Sequence, residues 1–138
     1  MSAHRRPAFA LHHVQLAMPR GGEAAALAFY AGVLGLAEVD KPPALAARAG
    51  VWFRAGTLEL HLGVEDDFRP ARKAHSGILV EDLDGLAAHL HARGLQLRPD
   101  TNLPGYRRFY LDDCFGNRLE FLSPSGDQPK VDPVMPTE

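Results

Sequence analysis

Hydrophobic and polar positions change rhythm along this chain in an order that occurs twice. In residues 9–18, Val14, Leu16 and Met18 share one face, whereas His13 and Gln15 share the other, an alternation that predicts a β-strand. Residues 23–34 carry apolar side chains at helical spacing, and Gly35 is suited to end that helix. Shorter apolar runs then predict strands at 36–39, 50–55 and 57–63.

The second half of the chain repeats this order after a charged linker at 64–74. A strand is predicted at 75–81, followed by a helix that ends near residue 93 and begins at a cap formed by Asp82 or Asp84. Further strands are predicted at 95–98, 106–111 and 118–122, with a loop over 99–105. Each half is therefore predicted to be a βαβββ module, which gives an α+β fold class.

Two modules in 138 residues are expected to form a single domain. The copies span about 9–63 and 75–122, and a unit of about 50 residues is marginal alone because it buries too little surface. The segment 124–138 contains four prolines and is predicted to be a tail that is loose or laid on a surface.

The repeat also doubles a pair of residues that can bind metal ions. His13 and Glu59 are 46 residues apart, and His75 and Glu120 are 45 residues apart. Matching positions in two copies of one unit indicate that the four side chains converge on one divalent ion. Imidazole and carboxylate suit zinc, nickel, cobalt, manganese or iron, and four protein ligands leave positions open for substrate.

Strand phase agrees with this interpretation and leaves one alternative open. If the helix of each module covers the face of Leu16 or Ile78, the two histidines point to the opposite face. His61 is the rival of Glu59, because it lies two residues further along the same strand face. The match of residues 58–60 with residues 119–121 favours Glu59.

Other reactive side chains have simpler explanations. His12 lies on the opposite face from His13, His89 and His91 fall on a solvated helix face, and Cys114 has no evident partner base. The group Tyr106, Arg107 and Arg108 is open to two interpretations, an anionic substrate or a solvated strand edge.

Composition narrows the class of protein. The net charge of −2 gives no field that would attract nucleic acid, and no apolar run is long enough to cross a bilayer. A single cysteine excludes an intrachain disulfide, and no secretion signal is recognisable, so a cytoplasmic protein is expected.

With these residues in view, the chain resembles the vicinal oxygen chelate superfamily, which includes glyoxalase I, bleomycin-resistance proteins and extradiol dioxygenases. The resemblance covers about residues 9–123. It is carried by residues 13–14, 27–30, 34–36, 58–60, 75 and 113–121. One position departs from the pattern, since Cys114 stands where the family usually has proline.

The resemblance implies a fold and a chemistry. Its paired modules curl a mixed sheet into a cup around the site, and His13, Glu59, His75 and Glu120 match the metal positions of glyoxalase-like members. It implies a metal-dependent lyase or isomerase that acts on a small-molecule substrate through a metal-bound enediolate, with Glu120 or Glu59 moving the proton. A homodimer is also expected, because open strand edges must be covered.

Two alternatives remain open within the resemblance. Bleomycin-resistance proteins keep the fold without metal, and a metal-free protein of that kind would bind a small molecule. Extradiol-type dioxygenases use the positions of His13, His75 and Glu120 only. No motif identifies the substrate.

Overall fold

Each half of the chain forms one four-stranded mixed sheet with one helix against it. The structure is a computed structural model, and it describes residues 7–126. Two compact units meet in sequence at Asp66 and Asp67, and each contains one βαβββ module.

The first module has the strand order β1-β4-β3-β2. Its strands are β1 (Val14–Met18), β2 (Ala37–Val39), β3 (Val51–Ala55) and β4 (Leu58–Val64). Strand β1 pairs with β4 in parallel, and the other two pairings are antiparallel. The helix begins as α1 (Glu23–Ala26) and continues without a break as a π-helical segment (Leu27–Val33). A 3₁₀ turn, Pro43–Leu45, lies between β2 and β3.

The second module repeats the topology as β5-β8-β7-β6. Its strands are β5 (Ser76–Leu79), β6 (Arg98–Asp100), β7 (Tyr106–Asp112) and β8 (Arg118–Pro124), and its helix is α2 (Leu83–Ala92). Strands β5 and β8 are parallel, as β1 and β4 are in the first module. The two βαβββ modules predicted from the sequence are confirmed as the fold class.

Each sheet has one apolar face and one open face, which follows from the two-residue alternation of its strands. In the first module, Phe53, Leu60 and Leu62 are buried, and the ring of Tyr30 from the helix lies 5.4 Å from that of Phe53. In the second module, the buried face carries Phe109, Leu111, Leu119 and Phe121. The histidines and carboxylates of interest therefore lie on the face that the helix leaves open.

The structure differs from the prediction in the start of the first strand, the position of β6 and the type of the first helix. Residues 9–13 are not a strand, and Phe9 and Leu11 are 90% and 81% exposed. Val14 pairs with Leu60, so residues before His12 would face the turn at 56–57 and find no partner. Residues 98–100 form β6 and are not a loop, because Arg98 pairs with Tyr110 of β7. The first helix is π-helical over most of its length.

Two further predictions concern the ends and surroundings of the chain. The tail predicted at 124–138 lies outside the described residues from position 127 onward, and residue 124 itself closes β8. Over residues 7–126, neither helix is long and apolar enough to span a bilayer. The single-domain organisation stays a prediction.

Candidate metal half-sites on the open sheet faces

The second module brings its histidine and glutamate together. His75 lies one residue before β5, and its Nε2 is 2.9 Å from Oε1 of Glu120 on the neighbouring strand β8. The other ring nitrogen, Nδ1, lies 2.9 Å from the carbonyl oxygen of Lys73 and can donate to it. A histidine that binds a metal usually holds its second nitrogen in this way, which orients the ring.

An arginine completes the surroundings of Glu120. Arg108 donates from Nη1 to Oε2 of Glu120 at 3.1 Å, and its Nε and Nη2 reach Asp100. Hydrogen bonds to Glu120 and Asp100 raise the pKa of the Arg108 guanidinium. One carboxylate oxygen of Glu120 is thus engaged by a fixed cation, and the other faces His75.

The first module stacks three rings on its open face. The indole of Trp52 and the imidazole of His61 are parallel with centroids 3.8 Å apart, and the ring of His13 lies 4.4 Å from that of His61. The His61 side chain is only 5% exposed. The stack therefore fixes the plane of His61 and holds His13, which precedes β1, beside it.

Glu59 belongs to the same group of side chains. Its Oε2 accepts from Nε2 of His61 at 3.0 Å, and its Oε1 accepts from Arg54 at 3.0 Å. The hydrogen bond from His61, followed by that from Arg54, lowers the pKa of Glu59. Glu59 is thus a carboxylate near neutral pH. It lies next to His61 on the same strand face, so the direction of the two side chains does not show which of them is the ligand.

Strand register does separate them. In the second module, Gly77, two residues after His75, pairs with Glu120. In the first module, Gln15, two residues after His13, pairs with His61. The residue at the position equivalent to Glu120 is therefore His61, and Glu59 is equivalent to Arg118.

Neighbouring strands give the same equivalence. Trp52 of β3 pairs with His61, just as Tyr110 of β7 pairs with Glu120. Both aromatic rings contact a histidine of their own module, since the Tyr110 ring lies 5.5 Å from that of His75. Each module thus brings together an aromatic ring, a histidine that directly precedes its first strand and a possible metal ligand on its last strand.

The donor atoms suit a first-row metal ion within each module. Bonds from such an ion to nitrogen or oxygen are about 2.0–2.2 Å long, so two adjacent ligands lie about 3 Å apart. The pairs His75–Glu120 and His61–Glu59 are separated by 2.9 and 3.0 Å. Among residues 7–126, however, no group of three or more histidine, cysteine or acidic side chains is already arranged to hold an ion. Convergence of all four predicted ligands on one ion stays a prediction.

The remaining candidates contribute less. His12 contacts His13 through the two Nδ1 atoms at 2.9 Å, although no strand places it. His89 and His91 lie on α2, as predicted. Desolvation and nearby Asp113 raise the pKa of the Cys114 thiol to about 11, which agrees with its dismissal as a nucleophile.

Trp52, Tyr110 and the role of Arg108 were not identified from the sequence. The sequence indicates a solvated edge or an anionic substrate for Arg108, and the structure shows that it binds Glu120 and Asp100. Arg108 lies two residues before Tyr110 on β7, so the two side chains share a strand face. Tyr110 pairs with Glu120, and this shared face is the signal in the sequence that could have placed Arg108 near Glu120.

Comparison with known proteins gives a consistent family. A family model described as the Glyoxalase/Bleomycin resistance protein/Dioxygenase superfamily matches residues 10–121. A comparison with curated proteins found no match.

Solved structures share the fold. A protein from Bacillus anthracis, described as a glyoxalase family protein, is 39% identical, with 88% of this chain and all of that chain covered and a TM-score of 0.85. A lactoylglutathione lyase from Agrobacterium tumefaciens is 24% identical over 86% of this chain and 96% of its own, with a TM-score of 0.63. A fosfomycin resistance protein from Listeria monocytogenes, solved with Mn(II), is 17% identical over 86% and 94%, with a TM-score of 0.66.

Proposed function

Because the chain belongs to the glyoxalase/bleomycin resistance protein/dioxygenase superfamily, we propose that it is a metal-dependent enzyme with lyase or isomerase chemistry. The observation that supports this most directly is the His75–Glu120 pair, whose donor atoms are 2.9 Å apart while a backbone carbonyl orients the imidazole. Two structural neighbours are a lactoylglutathione lyase and a fosfomycin resistance protein in complex with Mn(II). Both share the fold with this chain.

The proposed ligands are His13, His75, Glu120 and one residue of the pair Glu59 and His61. Register favours His61, because it occupies the position equivalent to Glu120. A divalent ion bound by this set would act as a Lewis acid on two neighbouring substrate oxygens. The substrate is a small molecule that bears such oxygens.

The chain's own carboxylates are the proposed proton carriers. Glu120 is held between His75 and Arg108, with one carboxylate oxygen in each contact. If His61 is the ligand, Glu59 is left beside it as a second base, ionised by its hydrogen bonds with His61 and Arg54. Each carboxylate is thus positioned to accept a proton from a carbon next to the bound oxygens.

Elemental analysis of protein purified without chelator or metal-affinity tag tests the proposal. We expect about one first-row ion per chain, with loss of the ion and retention of the far-UV circular dichroism spectrum in His75→Ala. His91→Ala is the matched control, since His91 is an exposed histidine of the same module on α2 and should leave the metal in place.

Two outcomes would redirect the assignment. A wild-type protein that binds no divalent ion, or a His75→Ala variant that binds it as tightly as wild type, would favour a metal-free small-molecule binding protein. Substrate-dependent consumption of oxygen by the metal-loaded protein would favour an extradiol-type dioxygenase.

A further inference from the structure

The second module contains a cavity lined by arginines. It has a volume of about 720 Å³ and lies between the segment 69–72 and the open face of the sheet. Four arginines contribute to its wall: Arg69, Arg72, Arg98 and Arg118. Asp112 is its one acidic lining residue.

The charges of this wall are unbalanced. Asp112 accepts a hydrogen bond from Arg98 at 2.9 Å, so the one acidic residue of the cavity is already paired with one of its arginines. Over residues 7–126, no carboxylate forms an ion pair with Arg69, Arg72 or Arg118. Three guanidinium groups therefore border one space without an ion-paired carboxylate.

Arg118 is held in place with a donor unused. Its guanidinium carbon lies 4.1 Å from the centroid of the Tyr110 ring, so the planar group is fixed by stacking. Its Nε is buried and has no hydrogen-bond partner in the described part of the chain. A buried donor without a partner is costly, so the position of Arg118 is set by the stacking on Tyr110 and not by a hydrogen bond of this nitrogen.

The cavity lies on the same face of β8 as Glu120, the residue that contacts His75. Arg118 and Glu120 are two residues apart on β8, so their side chains leave the same face with their Cα atoms about 7 Å apart. A molecule anchored at Arg118 would extend along β8 toward Glu120 and His75.

We propose that this cavity binds the phosphate group of the substrate. A tetrahedral dianion offers three oxygens and two negative charges, which suits several forked guanidinium donors better than a single carboxylate does. The cavity exceeds the volume of a free phosphate ion, so it has room for a larger organic molecule that carries the anionic group. The inference deepens the proposed function, since it names the substrate class of the same site.

Calorimetric titration of the purified protein with three probes tests the inference. The probes are inorganic phosphate, glycerol 3-phosphate and lactate, the last being a three-carbon molecule with a carboxylate only. We expect glycerol 3-phosphate to bind at least about tenfold more tightly than lactate, and phosphate to compete with it.

Variants locate the binding. Arg69→Gln with Arg72→Gln should weaken glycerol 3-phosphate at least about tenfold, whereas Arg48→Gln with Arg93→Gln, which removes two arginines outside the cavity, should change it by less than about twofold. Arg118→Lys keeps the charge and loses the forked geometry, so it should also weaken binding. If Arg69→Gln with Arg72→Gln prevents folding, the phosphate affinity of Arg118→Lys tests the anion site instead.

Several results would overturn the inference. They are a wild-type protein that binds none of the probes, lactate binding as tightly as glycerol 3-phosphate, and equal losses in the two double variants. Metal analysis of the same samples separates this site from the proposed function. Arg69→Gln with Arg72→Gln should keep the wild-type metal content, and His75→Ala should keep phosphate binding. A protein that binds phosphate but no metal would retain the anion site and lose the enzymatic assignment.

Discussion

At the scale of single residues, the identity of the fourth ligand depends on two side chains, of which the sequence repeat favours Glu59 and the strand register favours His61. Glu59 and His61 leave the same face of β4 and are hydrogen bonded to each other. Their surroundings differ, because His61 is stacked between Trp52 and His13, whereas Glu59 is bound by Arg54. A stacked, nearly buried imidazole is preorganised as a ligand, and a carboxylate beside it is suited to orient it.

Paired substitutions at these positions should give different metal affinities. We expect His61→Ala to abolish metal binding, because it removes a ligand. Glu59→Gln should weaken binding by about 10–100-fold, as for loss of a partner that orients a ligand. Competition with a coloured chelator measures both affinities. The opposite order, with Glu59→Gln losing the ion and His61→Ala keeping it, would restore Glu59 as the ligand.

Arg108 shows how a residue acquires a role from its neighbours. The sequence leaves two interpretations open for it, an anionic substrate or a solvated strand edge, whereas the structure joins it to Asp100 and Glu120 on two other strands. Those contacts depend on the pairing of β6 with β7 and of β7 with β8. The short strand β6 was predicted three residues too early, so Asp100 could not be assigned to this group from the sequence.

At the scale of secondary structure elements, the start of α2 is determined by one side chain. Asp82 accepts a hydrogen bond from the backbone N–H of Gly85 at 2.9 Å, which resolves the choice between Asp82 and Asp84 as the cap. A Cβ at residue 85 would come within 2.2 Å of Oδ2 of Asp82, so glycine permits this close approach. Asp84 instead forms an ion pair with Arg107.

Removal of this cap should destabilise the protein measurably. Asp82→Ala is expected to lower the free energy of unfolding by about 1 kcal/mol, the usual cost of a lost N-cap. Urea denaturation measures the difference. The exposed neighbour Glu81 is the control, and Glu81→Ala should change stability by less than about 0.5 kcal/mol. Equal effects of the two substitutions would contradict the capping role.

At the scale of the whole molecule, each sheet ends in two strands that have a partner on one side only. Neither four-stranded sheet closes, so β1 and β2 are edges of the first sheet, and β5 and β6 are edges of the second. Exposed edges invite pairing with other chains unless they are covered. A homodimer remains the expected assembly for this reason.

Size-exclusion chromatography with light scattering tests the assembly. We expect a mass of twice 15.0 kDa at micromolar protein concentration. The mass should not change in His75→Ala, because the His75 side chain contacts Glu120 within its own module and the substitution leaves the backbone of the edge strands intact. A monomer in the wild-type protein would contradict the prediction.

The sequence alone determined the features that depend on local periodicity. Alternation and helical spacing are set by backbone geometry, so they identified two βαβββ modules and the open face on which the histidines and glutamates lie. The family resemblance followed from the same residues. The differences from the structure are the start of the first strand at residues 9–13, where the pattern continues but no partner strand does, the position of β6 and the π-helical form of the first helix.

Only the tertiary structure decided which residues on the open faces meet. A strand shifted by two residues keeps the same face and the same alternation, so its sequence pattern cannot distinguish Glu59 from His61. The hydrogen bonds between β1 and β4 fix that register, and they join residues 46 positions apart. The arginines of the anion cavity are likewise drawn from β6, β8 and the segment 69–72, which approach one another only because the chain folds over long separations.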